Sequence, residues 1–509
     1  MEIQYSSPFN IVSLLLFFLL LILFRQSKKR DKKRRLLPPG PWRLPLIGSL
    51  HHLIGRLPHH SLTSLAQRYG PIMYLQLGEI PVVVISSPRI AKEVLSTHGV
   101  IFANRPEITF SNVISYNKKN IGFSEYGDYW RQMRKICTLE LLSAKMIKSF
   151  SGIRRDEISI LISSIRSMRG SRVNINEKVF QFTNSVLCRA AFGKICRSQA
   201  EFLAIVKEAF LLGTGFDVAD LFPSLELLHK VSGLKSKLMN LHHKLDALME
   251  DILNEHIENK ATGNYNMRNG EFGGEDLVDV LLRIKENGEL QCPISNDHIK
   301  AVILDMFAAG SETPSTTIIW AFSEMLKNPN VIAKAQSEVR EMLKGKKNYD
   351  EEDLEKLRYL KLVIKETLRL HPPAPLLVPR ESIKQIDIDG YTIPLKTRAL
   401  VNAWALGRDP RSWHDPESFI PERFENSSID FMGNHYEFIP FGAGKRICPG
   451  ISFGLTNIAL LLAQLLYHFE WELPDGANPK ELDMTETHGI LATKEKDLYL
   501  VATDYKNDE

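Results

Sequence analysis

Cys448 is the residue in this chain whose surroundings suit chemistry best. It lies in the run Pro440-Phe441-Gly442-Ala443-Gly444-Lys445-Arg446-Ile447-Cys448-Pro449-Gly450, ahead of the apolar stretch Ile451 to Phe469. A thiolate in such a setting suits axial ligation of haem iron, where its electron donation favours cleavage of an O–O bond. Pro449 reads as the first position of a helix. Cys448 would then stand at a helix N-terminus, whose free N–H groups and dipole favour the deprotonated sulfur. Gly442, Gly444 and Gly450 leave room for tight turning and for backbone to approach a flat cofactor. Lys445 and Arg446 supply positive charge suited to haem propionates. A buried structural cysteine is the bland alternative and the usual fate of a free thiol; the other motifs count against it.

A second constellation is Ala309-Gly310-Ser311-Glu312-Thr313. It falls within a long helix expected from the capping residues Ser295, Asn296 and Asp297 to just before Asn328-Pro329. Some thirty residues would span roughly 45 Å, enough to cross a whole domain. Val302, Asp305, Met306, Ala309, Thr313 and Thr316 share one face at helical spacing. Small residues at 309 and 310 admit a flat cofactor or O2. The Thr313 hydroxyl can donate to bound oxygen, and Glu312 can pass protons inward. Pro314 removes the N–H that would bond to the Gly310 carbonyl, which predicts a kink.

The pattern Phe441, Gly444, Cys448, Gly450 (F-x-x-G-x-x-x-C-x-G) resembles the haem-binding loop of the cytochrome P450 superfamily, and residues 309–313 resemble its oxygen-activating segment. Pro314 departs from the family, whose members often carry Ser or Thr there. Glu366, Arg369 and Arg423, the last in Pro421-Glu422-Arg423-Phe424, resemble the family's buried Glu-Arg-Arg network, a structural role. Trp130 and Arg134 in Trp130-Arg131-Gln132-Met133-Arg134, and Arg380 in Leu377-Val378-Pro379-Arg380, match its propionate contacts. The landmarks run in the family's order from Pro38 onward. The resemblance implies a mainly α fold with a small β-rich part, and a haem-thiolate monooxygenase carrying haem b. Electrons would come from NADPH through NADPH-cytochrome P450 reductase, docking beside Arg131, Lys135 and Lys445, with cytochrome b5 as a further partner. Segments that the resemblance places around the substrate are apolar: Phe110, Val113, Ile121, Phe210, Phe216, Val302, Met306, Leu376, Leu377, Val378 and Ile490. A neutral lipophilic substrate follows. The chain is similar to plant members that oxidise terpene hydrocarbons. Alkaloid or small-aromatic hydroxylation, a haem-thiolate isomerase or dehydratase, and a haem carrier are the rivals; the last two have no use for Thr313.

Other features bound the setting. Ile11 to Phe24 is nearly uninterrupted apolar sequence, and Tyr5 to Phe24 gives about 20 residues, enough to span a bilayer. Arg25 to Arg35 follows with eight positive residues and one negative. That order is the reverse of a cleavable signal and places the remainder in the cytosol, with the anchor in the endoplasmic reticulum membrane. The chain carries +4; subtracting +7 for residues 25–35 and −1 for Glu2 leaves −2 for residues 36–509. The basic balance therefore belongs to the membrane flank, where it can attract anionic lipid, and nucleic-acid binding is disfavoured. The division expected is an anchor at 1–24, a basic flank and Pro-rich hinge at 25–41, and one catalytic domain at 42–509. Five cysteines, at 137, 188, 196, 292 and 448, are too few and too scattered for a disulfide framework. Strands are expected at Ile72–Leu77 and Val82–Ile85, around Ile386–Ile393, and at Arg398–Val401, with a loop over Glu258–Glu275.

Overall fold

The computed structural model describes residues 36–194, 199–213, 216–225, 232–262, 275–288, 290–344, 346 and 351–505. The expected anchor and most of its basic flank, Cys196, and the side chain of Phe210 lie outside the described residues.

Helices dominate. Those that matter to the site are α1 (Pro58–Tyr69), α2 (Asp128–Ile136), α3 (Ile175–Phe192), α4 (Leu234–Ala261), α5 (Asn296–Lys327), α6 (Arg358–Leu370) and α7 (Ile451–His468). The start of α5 is fixed by a capping box between Ser295 and His298, and it runs as helix through Pro314 to Lys327. Burial on nearly all sides, from Ile299 to Leu326, makes α5 the central post of the domain. Among the described residues α7 is the one helix long and apolar enough to cross a membrane. Its Leu461, Leu462, Ala463 and Leu466 are fully buried, so it is a core helix. The Glu258–Glu275 loop begins later than expected, because α4 continues to Ala261.

The principal sheet has four strands, β1 (Ile72–Leu77), β2 (Ile80–Ile85), β3 (Arg380–Glu381) and β4 (Arg398–Val401), in the order β1-β2-β4-β3. β1 and β2 are antiparallel, with Ile72 opposite Ile85 and Leu77 opposite Ile80. Their turn is two residues, with Gly78 in the left-handed region at φ 60, so β2 starts two residues before the expected Val82. Pro81 is tolerated because β4 pairs with β2 only from Val82 onward, leaving no ladder bond for a proline to break. Ile386–Ile388 and Tyr391–Ile393 form the expected hairpin about Asp389-Gly390. A third sheet, from Arg172–Asn174, Phe469–Glu472 and Tyr499–Asp504, was not signalled by the sequence.

Candidate functional site

The Cys448 loop is held in a backbone shape that only glycine suits at its critical points. Gly442 and Gly444 take φ of 70 and 68. A Cβ on Gly444 would come 1.9 Å from the Leu95 carbonyl oxygen, so that position also admits no side chain for reasons of space. The Cys448 amide donates to the Phe441 carbonyl at 3.0 Å, closing the loop. Helix α7 begins at Ile451 with Gly450 as its cap, so Pro449 precedes the helix and does not open it as expected. A Pro-Gly turn separates the sulfur from the first helical turn, which weakens the dipole's hold. Burial accordingly pushes the Cys448 thiol up, against the Gly450 N–H and the nearby Arg134, which favour the thiolate. A metal bound there would deprotonate the coordinating thiol outright.

Around the loop stand Arg105, Arg134, Arg380 and Arg446. Arg446 donates to the carbonyls of Ala103 (2.9 Å), Ile121 (3.1 Å) and Ser124 (2.5 Å). Its guanidinium stacks 4.3 Å from the Trp130 ring centroid, and the Trp130 indole donates to the Ile121 carbonyl at 3.0 Å. Arg105 donates to the carbonyls of Gly122 (2.8 Å), Val378 (2.7 Å) and Pro379 (2.7 Å). Arg380 donates to the Ala443 carbonyl at 3.0 Å through one nitrogen, while its Nη1 is buried without a partner. Among the described residues none of the four forms an ion pair with a carboxylate, although Asp305 lies near enough to act on Arg105. Burial lowers all four, Arg380 to about 10 and Arg446 to about 9, and in Arg105 and Arg446 the neighbouring arginines add to it. Buried cations normally have paired anions. A cluster lacking them, with one nitrogen orphaned, fits an anionic group such as the propionates of haem. Trp130 and Arg446, each expected separately at the propionates, are in contact with one another. Arg105 was missed, for it stands in a loop whose partners are remote in sequence.

Helix α5 faces this loop. The Cβ direction of Gly310 meets Leu187 at 3.3 Å and Phe453 at 3.9 Å, and that of Gly454 meets Pro314 at 4.0 Å. The small residue at 310 therefore lets α3 and the start of α7 pack against α5. Ala309 is exposed, and Gly310, Glu312 and Thr313 are half-exposed, although the helix around them is buried. That marks a hollow at mid-helix beside the start of α7. The Thr313 hydroxyl donates to the Ala309 carbonyl at 2.6 Å. Burial pushes the Glu312 carboxyl up, with Lys207 opposing.

Glu366 and Arg369 are fully buried and joined by two bonds of 2.7 Å, and Arg423 donates to Glu366 at 2.9 Å. Arg369 also donates to the carbonyls of Gly407, Pro416 and Ser418, and Arg423 to those of His414, Asp415 and Ser418. Two arginines on one glutamate thereby fix the irregular chain leading into the Cys448 loop. A Cβ on Gly407 would fall 2.3 Å from the Arg369 carbonyl oxygen, so the packing admits nothing larger.

Asp305, whose role the sequence leaves unassigned, clamps the 120–122 loop to α5. It accepts from Asn120 Nδ2 (2.6 Å) and from the amides of Ile121 and Gly122 (2.9 Å each). Burial pushes its carboxyl up to about 6. Beside it lies an apolar cavity lined by Phe110, Phe123, Ala301, Leu304 and Ala308, among others. Of the expected substrate residues, Phe110 lines this cavity. Val302 and Met306 do not; they are buried in the main core, because the cavity-facing stripe of α5 runs through 301, 304, 305 and 308. Val113 and Ile121 pack at the edge of that core, and Phe216 and Leu376 against a cluster under β1 and β2. Leu377, at φ 53, reaches 3.9 Å from the Cβ direction of Gly442. Val378 offers its carbonyl to Arg105, and Ile490 is half-exposed.

Residues 38–501 match the family description "Cytochrome P450". Premnaspirodiene oxygenase of Hyoscyamus muticus is 58% identical over 470 residues, 92% of this chain and 93% of the relative. The 5-epiaristolochene 1,3-dihydroxylase of Nicotiana tabacum is 58% identical over 472 residues, with coverages of 92% and 93%. Germacrene A hydroxylase of Barnadesia spinosa is 51% identical over 469 residues, with 92% of each chain covered. In fold, a zebrafish cytochrome P450 solved with progesterone superposes with a TM-score of 0.74 at 24% identity, covering 88% of this chain and 100% of that one.

Proposed function

The chain belongs to the cytochrome P450 family, a haem-thiolate monooxygenase family, and from that premise we propose that its substrate is a sesquiterpene-class hydrocarbon, into which it inserts one atom of O2. The buried arginine cluster beside Cys448 carries the assignment of this particular site: buried guanidinium groups without ion-paired carboxylates, beside a thiol, have a clear use when they hold haem. Relatives named for sesquiterpene oxygenation at 58% and 51% identity support the substrate class.

Cys448 is the residue to ligate the iron, with Phe441, Gly444 and Gly450 shaping its loop. Trp130, Arg134, Arg380, Arg446 and Arg105 would hold the propionates. When bound there, haem supplies the activation of O2 that lets one oxygen atom enter a C–H bond. The protein's own share is positional and protonic. Ala309 leaves the hollow open, and Thr313 must turn its hydroxyl from the Ala309 carbonyl to donate into that hollow. Glu312, whose carboxyl burial pushes up, resupplies the proton from the solvent side. Gly310 has its carbonyl left without a helical donor by Pro314, so it can accept from a water on that route. Phe110 and the apolar stripe beside Asp305 exclude water and orient a hydrocarbon.

The domain organisation completes the proposal: anchor 1–24, basic hinge 25–41, and a cytosolic catalytic domain 42–509 on the endoplasmic reticulum membrane. NADPH-cytochrome P450 reductase and cytochrome b5 are the electron donors. Co-expression with that reductase and product analysis over a panel of sesquiterpenes tests this reading. NADPH-dependent oxygenated products are expected. Turnover of a lipid hydroperoxide without NADPH, with no product from any terpene, would replace it with the isomerase reading.

A further inference from the structure

Outside the Cys448 site, three histidines and one glutamate from three parts of the chain converge. His59 and His60 open α1, Glu486 comes from the C-terminal loop, and His371 caps the end of α6. His59 Nε2 is 2.6 Å from Glu486 Oε2, His60 Nε2 is 3.5 Å from the same oxygen, and His371 Nδ1 is 3.9 Å from Oε1. The ligating atoms of His59, His60 and Glu486 all lie within 4.8 Å of one another. Zinc with imidazole and carboxylate ligands at about 2.0–2.1 Å in a tetrahedron sets its ligand atoms about 3.4 Å apart. The observed spacings bracket that value.

A carboxylate beside the first turn of a helix needs no cation of its own. What points to one is a pair of poorly satisfied nitrogens. Among the described residues, His60 Nε2 and His371 Nδ1 are buried and face Glu486, at 3.5 and 3.9 Å, without a well-formed hydrogen bond. The His371 ring is fixed from its other side: Nε2 bonds to Glu324 Oε1 at 2.8 Å, and the ring stacks on Trp320 with a centroid separation of 4.1 Å. A carboxylate holding one imidazole nitrogen while the other faces the metal is the usual second sphere of a zinc histidine. Of the cations nearby, Arg408 is directed at Glu417 and the Leu370 carbonyl, and Lys494, bridged to Glu486 in the backbone, donates to the Lys496 carbonyl.

We propose that His59, His60, Glu486 and His371 form a structural site for a divalent transition cation of the zinc class, tying α1 and the C-terminal loop to the end of α6. On binding, the proton between His59 Nε2 and Glu486 leaves to solvent or moves to Nδ1, so uptake releases protons or is matched by a tautomer change. The ion would enter past His60, whose side chain is 39% exposed.

The test uses the full-length haem-loaded protein, stripped with a chelator and titrated with zinc chloride against a chromophoric competitor, with zinc and haem quantified together. One tightly bound zinc per haem is expected, lost in His60→Ala and Glu486→Gln and retained in His414→Ala, a change at an exposed histidine elsewhere. Glu324→Gln should weaken binding about 10–100-fold, as loss of an outer-sphere partner does. His60→Ala alters a half-exposed side chain, and an unchanged carbon monoxide spectrum would show that it is folded. No stoichiometric zinc, or zinc that persists in both His60→Ala and Glu486→Gln, overturns the proposal.

Discussion

The guanidinium of Arg446 lies 4.3 Å from the Trp130 ring centroid, and both side chains donate to a single carbonyl, that of Ile121. Ile121 is in turn tied to α5 through its amide and Asp305. The Cys448 loop, α2, the 120–124 loop and the central helix are therefore one hydrogen-bonded unit. Arg446→Met would strip the Ala103 and Ser124 carbonyls of this donor, at about 1–3 kcal/mol for each group left unsatisfied, while Ile121 keeps the Trp130 indole. The expected result is protein that is produced but retains haem poorly, measured as the haem-to-protein ratio. Arg446→Lys should restore little, since a point charge cannot replace a stacked, three-pronged fork.

The Glu366–Arg369–Arg423 network predicts a loss of folding. Removing one partner of a buried ion pair costs about 3–5 kcal/mol, because the other charge is stranded. Glu366→Gln strands two arginines at once. Little soluble haem protein should accumulate, and a variant of ordinary thermal stability would show the network to be dispensable.

Thr313 and Glu312 should separate electron use from product. Thr313→Ala removes the donor, and Glu312→Gln the acid behind it; a positioned acid contributes about 10²–10⁴-fold, part of which water can replace. Both variants should still consume NADPH with substrate present, while the fraction recovered as oxygenated product drops and peroxide appears. Equal coupling in Glu312→Gln would assign proton delivery to another route.

Asp305 yields a pH prediction. Its folded value of about 6 is above the ordinary 3.8, so between those values the folded chain holds a proton that the unfolded chain has lost. Protonation thus favours folding, and the ionised Asp305 costs stability at neutral pH. Relative to Asp305→Asn, the wild type should gain stability as pH falls from neutral toward about 5, with a slope limited to about 1.4 kcal/mol per pH unit. Paired thermal melts over that range measure it; parallel curves would contradict the buried charge.

The chemistry was legible in the sequence wherever it is local. Cys448 with its glycines, Glu366 with Arg369, and Ala309 to Thr313 each occupy a few turns of chain, and spacing alone brings their side chains together. Arg105 and Asp305 were not legible as site residues. Arg105 is held by carbonyls at 378 and 379, and Asp305 by groups at 120–122, so only the tertiary fold makes those pairs. Val302 and Met306 lie off the cavity beside Asp305 for a related reason: an all-buried helix has no polar face to fix which stripe meets it. The third sheet escaped notice because strands of three to six residues carry too little alternation to stand out.

The whole account rests on the Cys448 sulfur as the iron ligand, and the spectrum of the reduced, carbon-monoxide-treated protein tests that bond directly. The wild type should show the red-shifted Soret band that a thiolate donor produces, and Cys448→Ser should lose it. A wild type without that band, or a serine variant that keeps it, would contradict the assignment.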